Sequence, residues 1–278
     1  MSVPFKPDLM NKVAVVTGGG GVLCGVFAHA LAECGASVAV LDLSSKAAEE
    51  VAQSIREKGG KAVAYTCSVL EKSELEQVRE RIIAELGGID ILINGAGGNS
   101  PKATTGTERY EPDCENGFFD LNKEGFGFVF DLNILGTVLP TQVFAKYMVE
   151  HGGGCIVNVS SMNAFRPLTK IPAYSAAKAG VSNLTMWLAT HFAGCGIRVN
   201  AIAPGFFVTR QNKDLLFTPQ GEPTPRTGKI LAATPMGRFG KPEELVGALL
   251  FLCDDNASSF VNGVILPVDG GFSAYSGV

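Results

Sequence analysis

Short apolar runs rich in β-branched residues alternate along the chain with longer stretches in which apolar positions recur every three or four residues. The short runs cover 13–17, 37–41, 62–66, 89–93, 155–159, 199–202 and 263–268. Runs of this length without polar alternation predict strands covered on both faces. Between the first two, Leu23, Phe27, Ala30, Leu31 and Cys34 share one helical face, and Gly35 follows where a helix end favours a left-handed residue. Helices are predicted likewise over 45–58 and 73–86. Strands that alternate with helices of this length run parallel, because each crossover returns the chain to the same edge of the sheet. The expected class is α/β, a Rossmann-type doubly wound parallel sheet of about seven strands.

The rhythm continues almost to the C-terminus without a polar linker between separate cores, which predicts one domain over 1–278. Two excursions interrupt it, at about 99–121 and 206–241. In the second, the stretch TPQGEPTPRT at 218–227 predicts no regular structure. In and just after the first, Phe118, Phe119, Phe126, Phe128 and Phe130 are too apolar for a free tail, so this excursion is expected to pack onto the body. Excursions this long act as lids or binding loops.

Composition narrows the function. The 278 residues are 46% hydrophobic and 18% charged, with 23 Lys+Arg against 27 Asp+Glu. A net charge of -4 provides no basic field for nucleic acid or an anionic membrane. Seven scattered cysteines without a C-x-x-C pair, and only three histidines, predict neither a disulfide framework nor a metal site. His29 and His191 fall in predicted helices and His151 in a glycine-rich loop. The opening MSVPFKPDLMNK lacks the form of a signal peptide and no uninterrupted apolar run approaches 18 residues, so the expected location is the cytoplasm. Glycine is enriched, at 34 residues, and clusters in short loops between apolar runs.

The first such loop, Gly18-Gly19-Gly20-Gly21, joins a strand to a helix that begins near Val22 and Leu23. That arrangement lets backbone N–H groups approach a pyrophosphate at a helix N-terminus. Asp42 closes the second strand, where a carboxylate accepts hydrogen bonds from ribose hydroxyls; capping the next helix is its alternative use, open to Ser44 or Ser45 as well. An acid here repels a 2′-phosphate, so NAD(H) is expected over NADP(H).

A second constellation is Ser161, Tyr174 and Lys178, with Asn133 on a preceding helix. Tyr174 and Lys178 stand at i and i+4, on one helical face. A phenol near its usual pKa of about 10 is a poor base at neutral pH, but a neighbouring ammonium favours the phenolate. Such a phenol can exchange a proton with a carbonyl or hydroxyl oxygen that Ser161 also hydrogen-bonds. Asn133 is expected to hold a water on the path from Lys178 to solvent.

These residues resemble the classical short-chain dehydrogenase/reductase family over nearly the whole chain. The matching segments are the glycine turn after Val16-Thr17, the loop Asn94-Gly95-Ala96-Gly97, Asn133, Ser161 with Tyr174-x-x-x-Lys178, Pro204-Gly205 with Thr209, and Val268-Asp269-Gly270-Gly271. The resemblance implies catalysis by Asn133, Ser161, Tyr174 and Lys178. It implies cofactor contacts from Gly18, Gly20, Gly21, Val22, Leu23, Asp42, Ser68, Val69, Asn94, Gly95, Ala96 and Gly97. Tyr174, Lys178, Pro204, Gly205, Phe207 and Thr209 join them on the nicotinamide side, in a homo-oligomer, a dimer or tetramer.

Three positions depart from the family pattern. The motif T-G-x-x-x-G-x-G meets Val22 and Cys24 where its last two glycines belong. Either Gly20 and Gly21 take over the tight turn or the pyrophosphate sits differently. Gly95 replaces the second Asn of N-N-A-G, and Ser68 stands where an Asp near the adenine is common. Near a helix N-terminus Cys24 is either a thiol of lowered pKa or a small packing residue.

Within the family, segments such as TGGGGVLCG, SSMNAFRPLTKIPAYSAAKAG and VDGGFSAYSGV resemble a bacterial subgroup assigned to D-mannonate oxidoreduction. That implies reduction of D-fructuronate; another polyol or keto acid of the 5-ketogluconate type, or a non-catalytic dinucleotide sensor, is the alternative. A sugar acid needs a cation several carbons from the reacting centre. Arg166 is the first candidate, followed by Lys170, Arg210, Lys213 and Arg226. Asn163 is suited to a substrate hydroxyl, or to a turn. Trp187 is expected in the core or a subunit interface.

Overall fold

A computed structural model describes residues 3–209 and 216–277. Its strands are β1 (Val13–Thr17), β2 (Ser37–Asp42), β3 (Lys61–Thr66), β4 (Ile91–Asn94), β5 (Gly154–Val159), β6 (Ile197–Pro204) and β7 (Ile265–Val268). The longer helices are α1 (Val22–Glu33), α2 (Ser45–Glu57), α3 (Lys72–Leu86), α4 (Lys123–Phe130), α5 (Gly136–Glu150), α6 (Pro172–Phe192), α7 (Pro225–Ala232) and α8 (Val246–Cys253). All seven strands pair in parallel in the order β3-β2-β1-β4-β5-β6-β7. This is the expected Rossmann-type sheet. Its order reverses between β1 and β4, which opens a crevice at the carboxyl ends of the strands.

The strands are apolar throughout because helices cover both faces. Ala14 and Val16 of β1 pack with Phe27 and Leu31 of α1, Ala52 and Ile55 of α2, and Leu249 of α8. Val13 and Val15 turn to the opposite core, with Leu75 and Ile82 of α3, Phe144 and Met148 of α5, and Leu188 of α6. α4, a π-helical turn over Asp131–Leu135, and α5 run on as one helix, Lys123–Glu150. By length and composition this helix is apolar enough to cross a membrane, but half of its most apolar stretch is buried inside the protein, as in a core helix.

Several expectations need correction. The stretch 218–227 is irregular only as far as Thr224, whose hydroxyl caps α7 by accepting from the Thr227 N–H at 3.3 Å. Pro225 then occupies the first helical position, where its missing N–H costs nothing and its fixed φ is already helical. The first excursion is fastened by its backbone rather than by its aromatic rings. Thr105 N–H donates to the Lys170 carbonyl at 2.8 Å, and Ala103 is fully buried. Phe118, Phe119, Phe128 and Phe130 are exposed, and Phe118, Phe119 and Tyr110 stack edge-to-face on one another. Trp187 is 58% exposed and stacks on His191, so it lies outside the core.

Candidate active site

β1 delivers the chain into the glycine turn. Gly18 has φ +63°, a conformation side chains avoid, and a Cβ there would stand 3.0 Å from the Ala96 backbone. A Cβ on Gly19 would meet Val40 at 2.8 Å. Gly21 opens α1 with no side-chain cap and no acidic residue in the first turn. The first turn of the helix, at Val22 and Leu23, thus carries no acidic side chain of its own to offset its positive end. Asp42 is fixed at the end of β2, its carboxylate accepting from the N–H of Gly20 at 3.1 Å and of Ser44 at 2.9 Å. The cap of α2 is Ser44, not Asp42. A dinucleotide fits this edge, with a tight turn whose packing leaves no room for side chains at Gly18 and Gly19, a helix N-terminus for the pyrophosphate and a fixed carboxylate for the ribose. After β3, the Ser68 hydroxyl accepts from the Leu70 N–H at 3.2 Å, and Val69 is buried next to Gly136.

The loop after β4 crosses in front of β1. The Thr17 hydroxyl accepts from the N–H groups of Gly95 and Ala96 at 3.0 and 3.3 Å. Asn94 turns its side chain inward. Its amide donates at 2.9 Å to Thr141 of α5 and to Asn158 of β5, and Asn158 donates at 2.9 Å to Thr185 of α6. This buried network ties the central strands to the helices that carry Asn133, Tyr174 and Lys178. Thr141 and Thr185 belong to no matched motif. Asn158, the one polar residue among the apolar positions of 155–159, was the visible signal of it.

Asn133 lies in the π-helical turn, fully buried, in the kind of helix distortion often found at functional sites. Its Nδ2 donates to the carbonyls of Gly98 at 2.8 Å and Val129 at 2.7 Å, and its Oδ1 accepts from the Gly98 N–H at 3.3 Å. The side chain thus pins the loop. Gly97 passes between Asn133 and Lys178, where a Cβ would stand 2.7 Å from Asn133 Oδ1 and 3.1 Å from Lys178 Nζ.

β5 ends at Val159, whose carbonyl accepts from Lys178 Nζ at 2.8 Å. The ammonium also stands 5.7 Å from the centre of the Tyr174 ring. Burial pushes the Lys178 amine down to about 8, against a smaller opposing effect of Cys24. Burial raises the Tyr174 phenol above its ordinary value, while a hydrogen bond with Ser161 draws it back. Cys24 is held protonated by burial, its pKa pushed up to about 12, which excludes the low-pKa thiol. Ser161, Tyr174 and Lys178 therefore meet at the end of β5, with Asn133 across Gly97.

The other expected contacts divide. Gly205 lies so close to Asp269 that a Cβ would stand 2.5 Å from its Cα, while Phe207 is buried in the core beside Gly240 and Thr209 is partly exposed. Asn163 is buried next to Ser161 with its Oδ1 lacking a partner. Arg166 is exposed on the same loop and enters no ion pair among the described residues. Lys229 pairs with Glu108 at 2.9 Å, and the charges of Lys170 and Arg226 help hold that carboxyl below its ordinary value. Arg210 and Lys213 lie outside the described residues. A cavity of about 470 Å³ off the ends of β6 and β7, between Phe206, Met236, Arg238 and Asp269, contains none of the four catalytic candidates.

Known proteins resemble this chain in sequence and fold. A family model described as enoyl-(acyl carrier protein) reductase matches residues 24–273. An uncharacterized oxidoreductase of Haemophilus influenzae is 58% identical over 281 residues, covering 100% of this chain and 99% of that protein. The 7alpha-hydroxysteroid dehydrogenase of Escherichia coli is 35% identical over 263 residues, covering 95% and 94% respectively. The crystal structure of a proposed D-mannonate oxidoreductase from Haemophilus influenzae, with bound NAD, superposes with a TM-score of 0.95 at 59% identity, covering 98% of each chain.

Proposed function

The chain belongs to the short-chain dehydrogenase/reductase family, and from that premise we propose that it reduces D-fructuronate to D-mannonate with NADH. The coarser activity follows from membership: it is a nicotinamide-dependent oxidoreductase acting on alcohol or keto groups. The observation that carries the mechanism is the meeting of Ser161, Tyr174 and Lys178 at the end of β5, beside the glycine cradle. The bound dinucleotide supplies the hydride. Tyr174, held protonated at neutral pH by burial, donates its proton to the ketone oxygen as the carbonyl becomes an alcohol. Ser161 donates a hydrogen bond to the same oxygen. The Lys178 ammonium, anchored on the Val159 carbonyl, stabilises the phenolate left behind. Asn133 holds the Gly97-Gly98 loop so that this path stays open.

The cofactor preference rests on Asp42. A 2′-phosphate next to this fixed carboxylate is repelled, and the adjoining Leu43 is 76% exposed and supplies no cation. Asp42→Ala combined with Leu43→Arg is expected to raise kcat/KM for NADPH over NADH by roughly two orders of magnitude, since an Arg fork pairs with the phosphate. A ratio unchanged in steady-state rates would refute the assignment.

The substrate assignment rests on the resemblance to the proposed D-mannonate oxidoreductase and on the exposed Arg166. Lys170 and Arg226 lie within electrostatic reach of Glu108, whereas Arg166 is exposed and enters no ion pair among the described residues. Arg166 is therefore the residue proposed for the carboxylate, with Asn163 for a hydroxyl. The same reading takes the protein as a cytoplasmic homo-oligomer. Its test is product identity by NMR after incubation with D-fructuronate and NADH. D-mannonate is the expected product, and Arg166→Ala should raise KM about tenfold at little change in kcat, as loss of uniform binding does. Recovery of unchanged D-fructuronate would remove the substrate assignment, and an unmoved KM would remove Arg166 from it.

A further inference from the structure

The departures from the family motifs at positions 24 and 95 meet in space. Cys24 lies in the first turn of α1, buried, below the loop after β4. A Cβ built on Gly95 would overlap the Cys24 sulfur outright, and would also stand 2.9 Å from the Thr17 carbonyl and 3.5 Å from Cys24 Cβ. The space beside residue 95 is thus filled from α1 and not by residue 95 itself.

We propose that Cys24 and Gly95 form one interlocking pair, in which Cys24 is a positioning residue that sets the loop 95–98 against Asn133 and Lys178. The connection is short. Thr17 holds Gly95 and Ala96, Gly97 threads the gap between Asn133 Oδ1 and Lys178 Nζ, and Gly98 is gripped by both ends of the Asn133 amide. Close packing transmits small displacements, so a shift of a few tenths of an ångström at Gly95 reaches both catalytic candidates. The thiol acts by its volume, since burial keeps it protonated. The positioning role rests on the reaction assigned above; the overlap itself does not.

The test is a double-mutant cycle of Cys24→Gly, Gly95→Ala and the pair, scored by the melting midpoint without cofactor, by NADH affinity, and by kcat and KM for whichever ketone is turned over. Gly95→Ala should lower kcat about 30-fold or more and depress the melting midpoint, because overpacking displaces the loop. Cys24→Gly should lower kcat roughly fivefold with the ketone KM within about twofold of native, because removing the thiol leaves a void. The double variant should recover to within about tenfold of native, the residue of the loss coming from the Thr17 carbonyl. Cys24→Ser, which keeps the shape with a smaller atom at the tip, should lose less kcat than Cys24→Gly. Additive losses in both melting and kcat would overturn the pair. Coupling in melting and NADH affinity, with additive losses in kcat, would overturn the positioning role. If D-fructuronate is not turned over, melting and NADH affinity still decide the pair, so the two readings fail separately.

Discussion

Tyr174→Phe leaves the fold and NADH binding as they are and lowers the rate of ketone reduction by about a thousandfold, within the range ascribed to a positioned general acid. The ring keeps its place against the buried cluster of Ala103, Val129, Ala173 and Ala177, so only the hydroxyl is lost. Ser161 still hydrogen-bonds the ketone and Lys178 still rests on the Val159 carbonyl, but neither replaces the proton donor. Cofactor fluorescence titration beside single-turnover rates separates the two effects. A variant that binds NADH and reduces the ketone at the native rate would contradict the mechanism.

Lys178→Met is expected to lose activity by a similar factor and yet to gain stability. The amine is 4% exposed and its pKa is down at about 8, from 10.5. Keeping it charged at pH 7 therefore costs about 3 kcal/mol. Methionine removes that cost and leaves the Val159 carbonyl without its donor, worth about 1–2 kcal/mol. The net is about 1–2 kcal/mol in favour of the variant, a rise of a few degrees in Tm for a chain of this size.

The pH dependence has a definite sign. Between about pH 8 and 10.5 the unfolded chain carries a proton on this amine that the folded protein has lost. Stability from this group therefore rises with pH across that window, by about 1.4 kcal/mol per unit at most. Cys24 works the other way above pH 9, because the folded protein keeps the thiol proton that the unfolded chain gives up. Burial, the main cause of the thiol's shift, is common to native protein and Lys178→Met, so their difference removes most of its effect. Urea midpoints at pH 7 and at about pH 10 should show the variant's advantage shrinking with pH. An advantage that grew, or a variant much less stable at pH 7, would be inconsistent with a desolvated ammonium.

What could be read from the sequence follows what the physics makes local. The strands were legible because both of their faces are covered, which leaves unbroken apolar runs such as Val13–Thr17. Tyr174 and Lys178 share a helical face at four-residue spacing, and Ser161 ends a strand, so their convergence needed only the topology. The contact of Cys24 with Gly95 was not legible, since the two are far apart in sequence and appeared as two separate defects. No pattern marks the π-helical turn that aims Asn133. At 218–227 the prolines concealed a helix start, because proline both breaks helices and begins them. The phenylalanines at 118–119 carry the opposite lesson: apolar character was read as burial, and their rings face outward and stack on each other.

Substrate choice is the least local property. D-fructuronate and 5-keto-D-gluconate differ only in configuration beside the carboxylate, so groups at the acid end must discriminate, well away from Ser161 and Tyr174. The most direct test of the central claim is the initial rate of NADH loss with D-fructuronate, set beside 5-keto-D-gluconate and neutral ketoses, and repeated with NADPH. Rapid turnover confined to D-fructuronate with NADH is the predicted result. Equal activity on neutral ketoses, or none on either acid, would contradict it.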